Sequence, residues 1–581
     1  MNPTHQNSWK HLQQAIDAEI KTLEEFIRAL KSRRNTHSPV SSLPPEVFTA
    51  IFSFLCLPGV PSLGGNRGQN LARLRISHVC QQWREIALNL PLLWSHIDFN
   101  TLSSAGASEI LIRAKSVPLY LEARVSYRHW GRVKVCIFQN ELPSLVPRIC
   151  HLSITAHPMS LYSTLAELVS PAPTLEYLSV FSRHDSTFIP DNLFDGCTPR
   201  LSCLELRNCD ISWKSPLLKG LKYLKIITPF EMPELAVWLD ALCELPQLQA
   251  LTLHLVYLIA PSSQFDVERT FTLSALTLLD ITDVAEDFAP TLAHLDLPAL
   301  TCLRLTVLST LPNYSDVQNL LTYVTQYAHG PQHAHPLQSM LISSYEQNYE
   351  NYLGIAAWSV PNIDVEVHDP PALLGATIPP RIALTFESGS RLRSGTLRQI
   401  LDFVMVALPL NDLVMLAAQD LNIASDLARD LRMQQFWLRH TPQWPLLQRV
   451  RLAPPITPGF IQMLLEDNGR HEKPALPSLT ELVLDRESSN ALSDLPIYDA
   501  LMKRVEKGVP LDMLDLRTCQ YDGDSFAAVQ SFSEVVVNVL APDPEARKGI
   551  TSMWDALARD PFTEGDISRD TGSDDGEGDE E

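Results

Sequence analysis

A metal ion could bind at three histidines that lie close together in the sequence: His329, His333 and His335. They stand in the segment HGPQHAHPL, and imidazole nitrogens at such short spacing can hold a divalent metal. The neighbouring proline and glycine predict a surface loop, and no carboxylate or cysteine accompanies the histidines. We therefore interpret them as ordinary loop histidines and predict neither a metal nor a cofactor.

Cys80 follows His78 by two residues, a spacing that raises the question of a histidine-activated thiol nucleophile. Cys80 also shares an apolar stripe with Val79 and Trp83. A thiol in an apolar helix face is usually buried and unreactive. We predict that Cys80 belongs to a helix core and has no catalytic role.

The sequence contains none of the motifs that commonly mark an enzyme. G-x-x-x-x-G-K-[ST], strand–GxGxxG–helix, HExxH and G-x-S-x-G are all absent, and the chain has 22 glycines in 581 residues. We predict a non-catalytic binding protein. The alternative of an enzyme without a recognisable motif stays open, and such an enzyme would require a deep polar pocket with converging titratable groups.

Composition restricts the partners and the compartment. The net charge of -21 argues against broad nucleic-acid binding and against electrostatic attachment to anionic membranes. No run approaches the 18 apolar residues of a membrane span, and the N-terminus lacks an apolar signal core. The ten cysteines form no CxxC pair, which favours reduced thiols in the cytoplasm or nucleus. Residues 560–581 are acidic and are predicted to be a disordered tail.

The first element that the sequence predicts is a charged helix over residues 8–34. Its apolar residues step by 4, 3, 4 and 3, which is a heptad seam made of Ile16, Ile20, Leu23, Ile27 and Leu30. Such a helix either docks on its own domain or forms a coiled coil with a second copy or another partner. The segment NTHSPVSS ends it.

A second helix is predicted within SSLPPEVFTAIFSFLC, residues 41–56, where Pro44 and Pro45 suit a helix start. Its apolar residues cover about half of the circumference, which is more than one interface usually needs. A proline- and glycine-rich loop, Leu57 to Asn70, follows. The segment LRISHVCQQWREIALNLPLLWSHIDF then predicts another helix, with Trp94 in an extended segment behind it. We expect one face of the first helix to pack on the Trp83 helix and the other to bind a partner.

Beyond residue 110 one short pattern, apolar-x-x-apolar-x-apolar, occurs eleven times. The copies begin at residues 149, 175, 201, 221, 248, 276, 300, 337, 447, 479 and 511. Many steps are 20 to 28 residues and others about 32 to 37, and the one gap of about 110 residues, before residue 447, is predicted to hold longer helix-containing units. LSCLELRNC and LDMLDLRTC extend the pattern to L-x-x-L-x-L-x-x-N/C, so Cys209 and Cys519 are predicted to be turn residues. The spacing predicts an irregular leucine-rich-repeat solenoid over residues 110–545, in which each unit is buried against its neighbours.

The stretch over residues 40–98 resembles an F-box, in the F-box-like form that fungal proteins combine with degenerate leucine-rich repeats. The resemblance is carried by Leu-Pro-x-Glu at Leu43 to Glu46, the aromatic-rich helix, Val79-Cys80-x-x-Trp83, and Trp94. It implies a three-helix fold that binds a Skp-type adaptor and, through it, a cullin–RING ubiquitin ligase. The implied adaptor-facing and core positions are Leu43, Pro44, Glu46, Val47, Ile51, Phe52, Leu55, Val79, Cys80 and Trp83. The Leu57 to Asn70 loop is longer than the connection usual in the family.

The expected fold class is therefore α + α/β: an N-terminal helix, a small helical F-box-like domain, and an irregular leucine-rich-repeat solenoid. The resemblance implies a substrate-recognition subunit of an SCF-type ubiquitin ligase, with the concave strand-lined face as the substrate surface. The alternative is an F-box and leucine-rich-repeat scaffold that acts outside ubiquitin transfer. The expected partners are the adaptor, a cullin through it, and an unidentified protein substrate, with self-association through the first helix left open.

Overall fold

The structure is a computed structural model, and it divides the chain into two compact units. The first comprises residues 1–332 with 381–387, and the second comprises residues 333–380 with 388–581. The described residues are 3–54, 75–100, 102–125, 142–230, 235–255, 270–285, 291–308, 314–329, 335–347, 350–363, 378–388, 394–420, 432–453, 456–465, 474–485, 496–519 and 532–540. Leu55, His333, the Leu57 to Asn70 loop and the acidic tail over 560–581 lie outside them.

Seven α-helices of the first unit have both ends within the described residues. They are α1 (Pro3–Thr36), α2 (Pro45–Phe54), α3 (Gln81–Leu88), α4 (Ser104–Ala114), α5 (Pro158–Ala166), α6 (Leu235–Cys243) and α7 (Tyr314–His329). α1 extends the predicted helix over 8–34 by a few residues at each end. The side chains of residues 11–34 are all exposed, so docking of α1 on its own domain is not seen among the described residues.

The first unit also contains a ladder of ten parallel strands, which pair in chain order. These are β1 (His96–Asp98), β2 (Leu119–Val125), β3 (Ile149–Ala156), β4 (Tyr177–Ser182), β6 (Cys203–Arg207), β8 (Tyr223–Ile227), β9 (Ala250–His254), β11 (Leu278–Val284), β13 (Cys302–Leu308) and β16 (Ile382–Ser388). Two short parallel pairs lie beside it: β5 (Thr187–Phe188) with β7 (Cys209–Asp210), and β10 (Phe271–Thr272) with β12 (Leu295–Asp296).

A continuous row of leucines explains this strand order. Burial alternates along β4, because successive side chains of a strand point to opposite faces. The inward positions of neighbouring strands are in register and at most 1% exposed: Leu152, Leu178, Leu204, Leu224, Leu251, Leu279 and Leu303. Burying each leucine contributes roughly 2 kcal/mol, so every strand is stabilised mainly by its two neighbours.

Strand exits in the ladder share one backbone feature. The residue directly after β6, β8 and β9 has a positive φ: Asn208 (50°), Thr228 (46°) and Leu255 (52°). Each N–H donates to the last or a late carbonyl of the next strand, as Asn208 does to the Ile227 oxygen at 2.9 Å. The same tight turn therefore ends successive strands.

The second unit contains both parallel and antiparallel strand pairs. Its strands are β14 (Ser339–Gln347), β15 (Glu350–Trp358), β17 (Met415–Asp420), β18 (Arg449–Leu452), β19 (Glu481–Leu484), β20 (Leu511–Asp515) and β21 (Val536–Leu540). β14 pairs antiparallel with β15, whereas all the other described strand pairs of this unit are parallel. Its helices are α8 (Ser394–Ala407), α9 (Arg432–His440), α10 (Thr457–Leu465) and α11 (Ile497–Glu506).

All eleven copies of the repeat pattern contain a strand, but the wide gap before residue 447 does not lack strands. It holds β15, β16 and β17, and β17 begins at Met415, the last apolar position of Leu410-x-x-Leu413-x-Met415, a copy of the same pattern. The expectation of helix-containing units there was incomplete, because α8 is followed directly by this strand. The antiparallel strand β15 and the ladder strand β2 were also missed.

Two local predictions around the Trp83 helix were wrong. The helix does not run continuously through Cys80, because Cys80 is extended (φ -156°, ψ 174°) and serves as the N-cap of α3. Trp94 is not in an extended segment but ends a 3-10 helix, Pro91–Trp94. Its indole N–H donates to the carbonyl of Ala87 at 2.8 Å, and this buried hydrogen bond holds the turn against α3.

Candidate functional site

The α2–α3 pair is held together by three aromatic rings. Phe48 and Phe52 are each 1% exposed. Their ring centroids lie 5.5 and 5.2 Å from that of Trp83, both at 61°, the edge-on geometry that aromatic pairs prefer. Phe52, which the sequence placed in the adaptor-binding set, therefore belongs to the core of this pair in the free chain.

A second face of α2, beside the aromatic one, is apolar and exposed. Val47 is 39% exposed, Ile51 46% and Phe54 72%. Their spacing of four and three residues places them on one side of the helix. The hydroxyls of Thr49 and Ser53 bond to backbone carbonyls of their own helix, at 2.9 and 2.7 Å. The helix thus has one packed aromatic face and one free apolar face.

The residues just before α2 and in its first turn determine where the helix, and with it the free apolar face, begins. Leu43 is extended (φ -70°, ψ 139°) and half-buried, and Pro44 and Glu46 behind it are exposed. Val47 donates its N–H to the Pro44 carbonyl at 3.0 Å, which closes the first turn. Glu46 lies in that turn, where a carboxylate interacts favourably with the positive end of the helix dipole.

Val79 and Cys80 precede α3 and differ in exposure. Val79 is 57% exposed in the turn before the helix, whereas Cys80 is half-buried. The Cys80 sulfur accepts a hydrogen bond from the backbone N–H of Trp83 at 3.5 Å. Cys80 is therefore a cap residue, and the expected buried core thiol is only partly enclosed.

The predicted set of ten residues thus separates by position. Phe52 and Trp83 pack together, and Leu43 and Cys80 are half-buried. Exposed are Pro44, Glu46, Val47, Ile51 and Val79, whereas Leu55 lies outside the described residues. Phe54, the most exposed apolar residue of α2, was absent from that set, although its three-residue step from Ile51 could have indicated it.

The same region is anchored to the strand ladder through Trp94. The guanidinium carbon of Arg113 on α4 lies 4.8 Å from the centroid of the Trp94 ring. Arg113 also pairs with Glu109 at 2.8 Å. β1 then pairs with β2, so α3, α4 and the first strand are joined around one buried indole.

A stack of aromatic side chains lies on the outward face of the ladder. His96 stacks on Tyr120 at 4.2 Å, and His151 stacks on Tyr177 at 3.9 Å, with ring planes within 7°. Tyr120 and His151 are 6.1 Å apart, so the four rings form one continuous row across β1 to β4. Burial lowers the pKa of His151 to about 4, which keeps this imidazole neutral near pH 7.

Charged side chains flank this row on the next strand, β6. The Tyr177 hydroxyl donates to Glu205 at 2.8 Å, and burial together with Glu205 raises the tyrosine pKa. Arg207 lies over the Phe181 ring at 5.2 Å. Burial raises the pKa of the Cys203 thiol to about 12, so it is not a ready nucleophile. Mixed charge beside aromatic surface is typical of a protein-binding face.

A cleft of about 400 Å³ lies where β4, β6 and β8 end. It is lined by His184, Asp185, Ser186, Asn208, Thr228, Pro229 and Phe230. Phe230 is 77% exposed, and its N–H donates to Asp210 at 2.7 Å. The cleft offers hydrogen-bonding groups beside one exposed ring.

The candidate chemical groups have structural partners. Cys209 and Cys519 are buried, and their sulfurs lie 3.2 and 3.1 Å from the carbonyls of Arg207 and Leu484. His329 is not in a loop: it ends α7 and its Nδ1 lies 2.9 Å from the Thr325 carbonyl. No group of three potential metal ligands is found within the part of the chain that the structure describes.

Sequence reasoning missed the pairing of a buried histidine with a half-buried carboxylate in the second unit. His440 on α9 lies 2.7 Å from Asp402 on α8, and burial lowers the pKa of this histidine. The imidazole also packs on Phe436 with centroids 4.7 Å apart. The pair therefore joins two helices, and thirty-eight residues separate its members, too far for a local pattern to indicate it.

The helix pair, with Trp83 in its aromatic cluster and the buried Trp94 behind it, coincides with the stretch matched by one family model. Residues 40–100 are an F-box-like domain. The match contains α2, α3 and β1 and ends two residues beyond the predicted boundary. No curated protein matches the chain. Among the described residues no helix is long and apolar enough to span a membrane.

Proposed function

We propose that this chain is the substrate-recognition subunit of an SCF-type ubiquitin ligase. Its F-box-like domain binds a Skp-type adaptor, which links it to a cullin, and its strand ladder binds a protein substrate. The observation that carries the proposal is the free apolar face of α2, which is distinct from the face that packs on Trp83. A partner helix or groove is the usual cover for such a face.

The adaptor-binding residues follow from exposure within the F-box-like domain. Val47, Ile51 and Phe54 supply the apolar centre of the contact. Pro44, Glu46 and Val79 lie exposed around it, and Leu43 and Cys80 are accessible in part. Phe52 and Trp83 act indirectly, because they fix the orientation of α2. Leu55 extends the sequence-based set.

The repeat architecture is part of the proposal. In the first unit, parallel strands follow each other in chain order with leucines in register. Cys209 and Cys519, at the last position of the longer pattern, are buried against backbone carbonyls. These features support degenerate leucine-rich repeats in both units, in which each repeat is stabilised by its neighbours.

The outward face of the ladder is the proposed substrate surface in the first unit. The aromatic row from His96 to Tyr177 supplies apolar contact area, and Glu205 and Arg207 supply charge on the next strand. Tethering a substrate there raises the effective concentration of its lysines at a ubiquitin-loaded enzyme. The role of the chain is therefore positioning rather than catalysis, in the cytoplasm or nucleus, where reduced cysteines are stable.

Co-purification from cells tests the adaptor contact. Wild-type chain should retain the Skp-type adaptor, and the Val47→Asp/Ile51→Asp variant should lose it, because two carboxylates would be buried in an apolar contact. Thr49→Asp, on another side of the same helix, is the matched control and should retain the adaptor. A wild-type chain that never brings down the adaptor would refute the proposal.

A second experiment separates the ligase subunit from the scaffold alternative. If the adaptor and cullin both bind, inhibition of the cullin should raise the level of proteins that the strand ladder captures. Binding of the adaptor with captured proteins that stay unmodified and unchanged in level would favour the scaffold. The Leu57 to Asn70 insertion, which lengthens the F-box-like domain, is a sequence feature that favours the scaffold alternative.

A further inference from the structure

The heptad seam of α1 is uncovered along its described length. Ile16, Ile20 and Ile27 are each 49% exposed, and Leu23 and Leu30 are 57% and 47% exposed. Phe26 flanks the seam at 62%. A helix of 34 residues with a continuous apolar stripe is long enough for several layers of a coiled coil.

Charge is segregated along the same helix. Between residues 11 and 26 the acidic residues Asp17, Glu19, Glu24 and Glu25 outnumber the single base Lys21. The charged residues within 27–36 are all basic: Arg28, Lys31, Arg33 and Arg34. Two such helices attract each other when they run in opposite directions, because each acidic half then lies beside a basic half.

The flanking positions of the heptad distinguish the two orientations. In a parallel pair, Glu19 would lie beside Glu24 of the second copy, twice by symmetry, and Arg34 would face its own copy in the seam. In an antiparallel pair that places Leu23 opposite Ile27, Asp17 lies beside Lys31 and Glu19 beside Arg33. Glu24, which then faces its own copy, is already paired with Arg28 at 3.5 Å.

We propose that α1 binds α1 of a second copy of this chain as an antiparallel coiled coil. The layers are Ile20 with Leu30 and Leu23 with Ile27, each occurring twice. The six apolar side chains from Ile16 to Leu30 leave roughly 500 Å² uncovered per helix, so the pair buries on the order of 1,000 Å², the lower bound for a specific interface. At 1.5 Å per residue, the two α1 C-termini lie about 33 Å apart along the axis, which presents two F-box-like domains at opposite ends.

The mass of the full chain in solution, measured by light scattering from about 1 to 50 µM, tests the pairing. We expect a concentration-dependent dimer that Ile20→Asp/Ile27→Asp converts to monomer. Thr22→Asp/Ala29→Asp adds the same charge on the opposite face of α1 and should leave the dimer intact. A wild-type chain that is monomeric throughout, or equal loss in both variants, overturns the proposal. Adaptor binding through α2 is read separately, so its failure would not imitate this result.

Charge exchange tests the orientation. Asp17→Lys alone and Lys31→Asp alone each replace two attractive pairs by repulsive ones, which should raise the dimer dissociation constant about tenfold. The double variant Asp17→Lys/Lys31→Asp restores both pairs and should return to the wild-type constant, with helix content checked by circular dichroism. A double variant as weak as the singles rules out the antiparallel arrangement, because in a parallel pair neither residue faces the other.

Discussion

Phe52 and Trp83 meet edge-on, with ring centroids 5.2 Å apart, and this contact divides the surface of α2 into two faces with different roles. Phe52 is buried, whereas Ile51, its neighbour in sequence, is exposed on the other face. Adjacent residues of similar polarity therefore differ in what their loss should affect. One should change the stability of the domain, and the other the binding of a partner.

Phe52→Ala should destabilise the F-box-like domain by about 3–5 kcal/mol, because it removes a buried ring and leaves a cavity beside Trp83. The expected signature is faster hydrogen exchange at the amides of α3 (Gln81–Leu88) in the full chain. Ile51→Ala is the control, and its exchange rates should stay near those of wild type. Unchanged exchange in Phe52→Ala would contradict the assignment of this ring to the core.

Ile51→Ala should instead weaken adaptor binding, by roughly tenfold to a hundredfold, if the free face of α2 is the contact centre. Titration calorimetry with purified Skp-type adaptor measures this change. Phe54→Ala should act in the same direction, since Phe54 is exposed on the same side. Ala50→Ser, a small exposed change beside them, should leave the affinity within about twofold. Wild-type affinity in both Ile51→Ala and Phe54→Ala would exclude this face.

The stacked imidazole of His151 predicts a pH dependence of stability. Its pKa is lowered from 6.5 to about 4 by burial, so below pH 6.5 the unfolded chain binds a proton that the folded chain resists. The contribution of neutral His151 to the free energy of unfolding is complete above pH 6.5 and is lost as the pH falls to about 4. The total loss is about 3 kcal/mol.

His151→Phe keeps a ring between Tyr120 and Tyr177 but removes this titration. Thermal unfolding of wild type and variant at pH 7.5 and 5 should therefore show a smaller loss of Tm for the variant. An identical loss in both proteins would show that His151 is not held neutral by the stack.

Arg504 should be essential to the stability of the second unit. Its guanidinium is buried on α11 and donates to the carbonyls of Ala475, Leu476 and Leu479 at 2.9 to 3.1 Å. Burial lowers its pKa to about 10. Arg504→Met should cost about 3 kcal/mol, because it leaves buried carbonyls without donors. Hydrogen exchange at the amides of α11 in the full chain measures the loss, and Glu506→Gln, at an exposed position of the same helix, is the control.

The sequence predicted the strands of the ladder well, because each buries leucines at alternate positions and such a pattern is local. It missed β17 although Leu410, Leu413 and Met415 carry the same pattern, since the preceding helical periodicity of α8 was extended across it. It also missed β15, whose antiparallel pairing with β14 has no signal within one repeat. The first error comes from a helical period extended too far, and the second concerns a strand that pairs with its immediate neighbour in the chain.

The candidate site shows the same division. Spacing along SSLPPEVFTAIFSFLC established that α2 carries more apolar surface than one contact requires, because helical periodicity fixes which residues share a side. Only the tertiary structure decided that Phe48 and Phe52 face Trp83 while Val47, Ile51 and Phe54 stay free. It also decided that Cys80 caps α3 and that His96, Tyr120, His151 and Tyr177 form one row. Local patterns determine the faces of helices and strands, whereas packing between distant segments determines which face is covered.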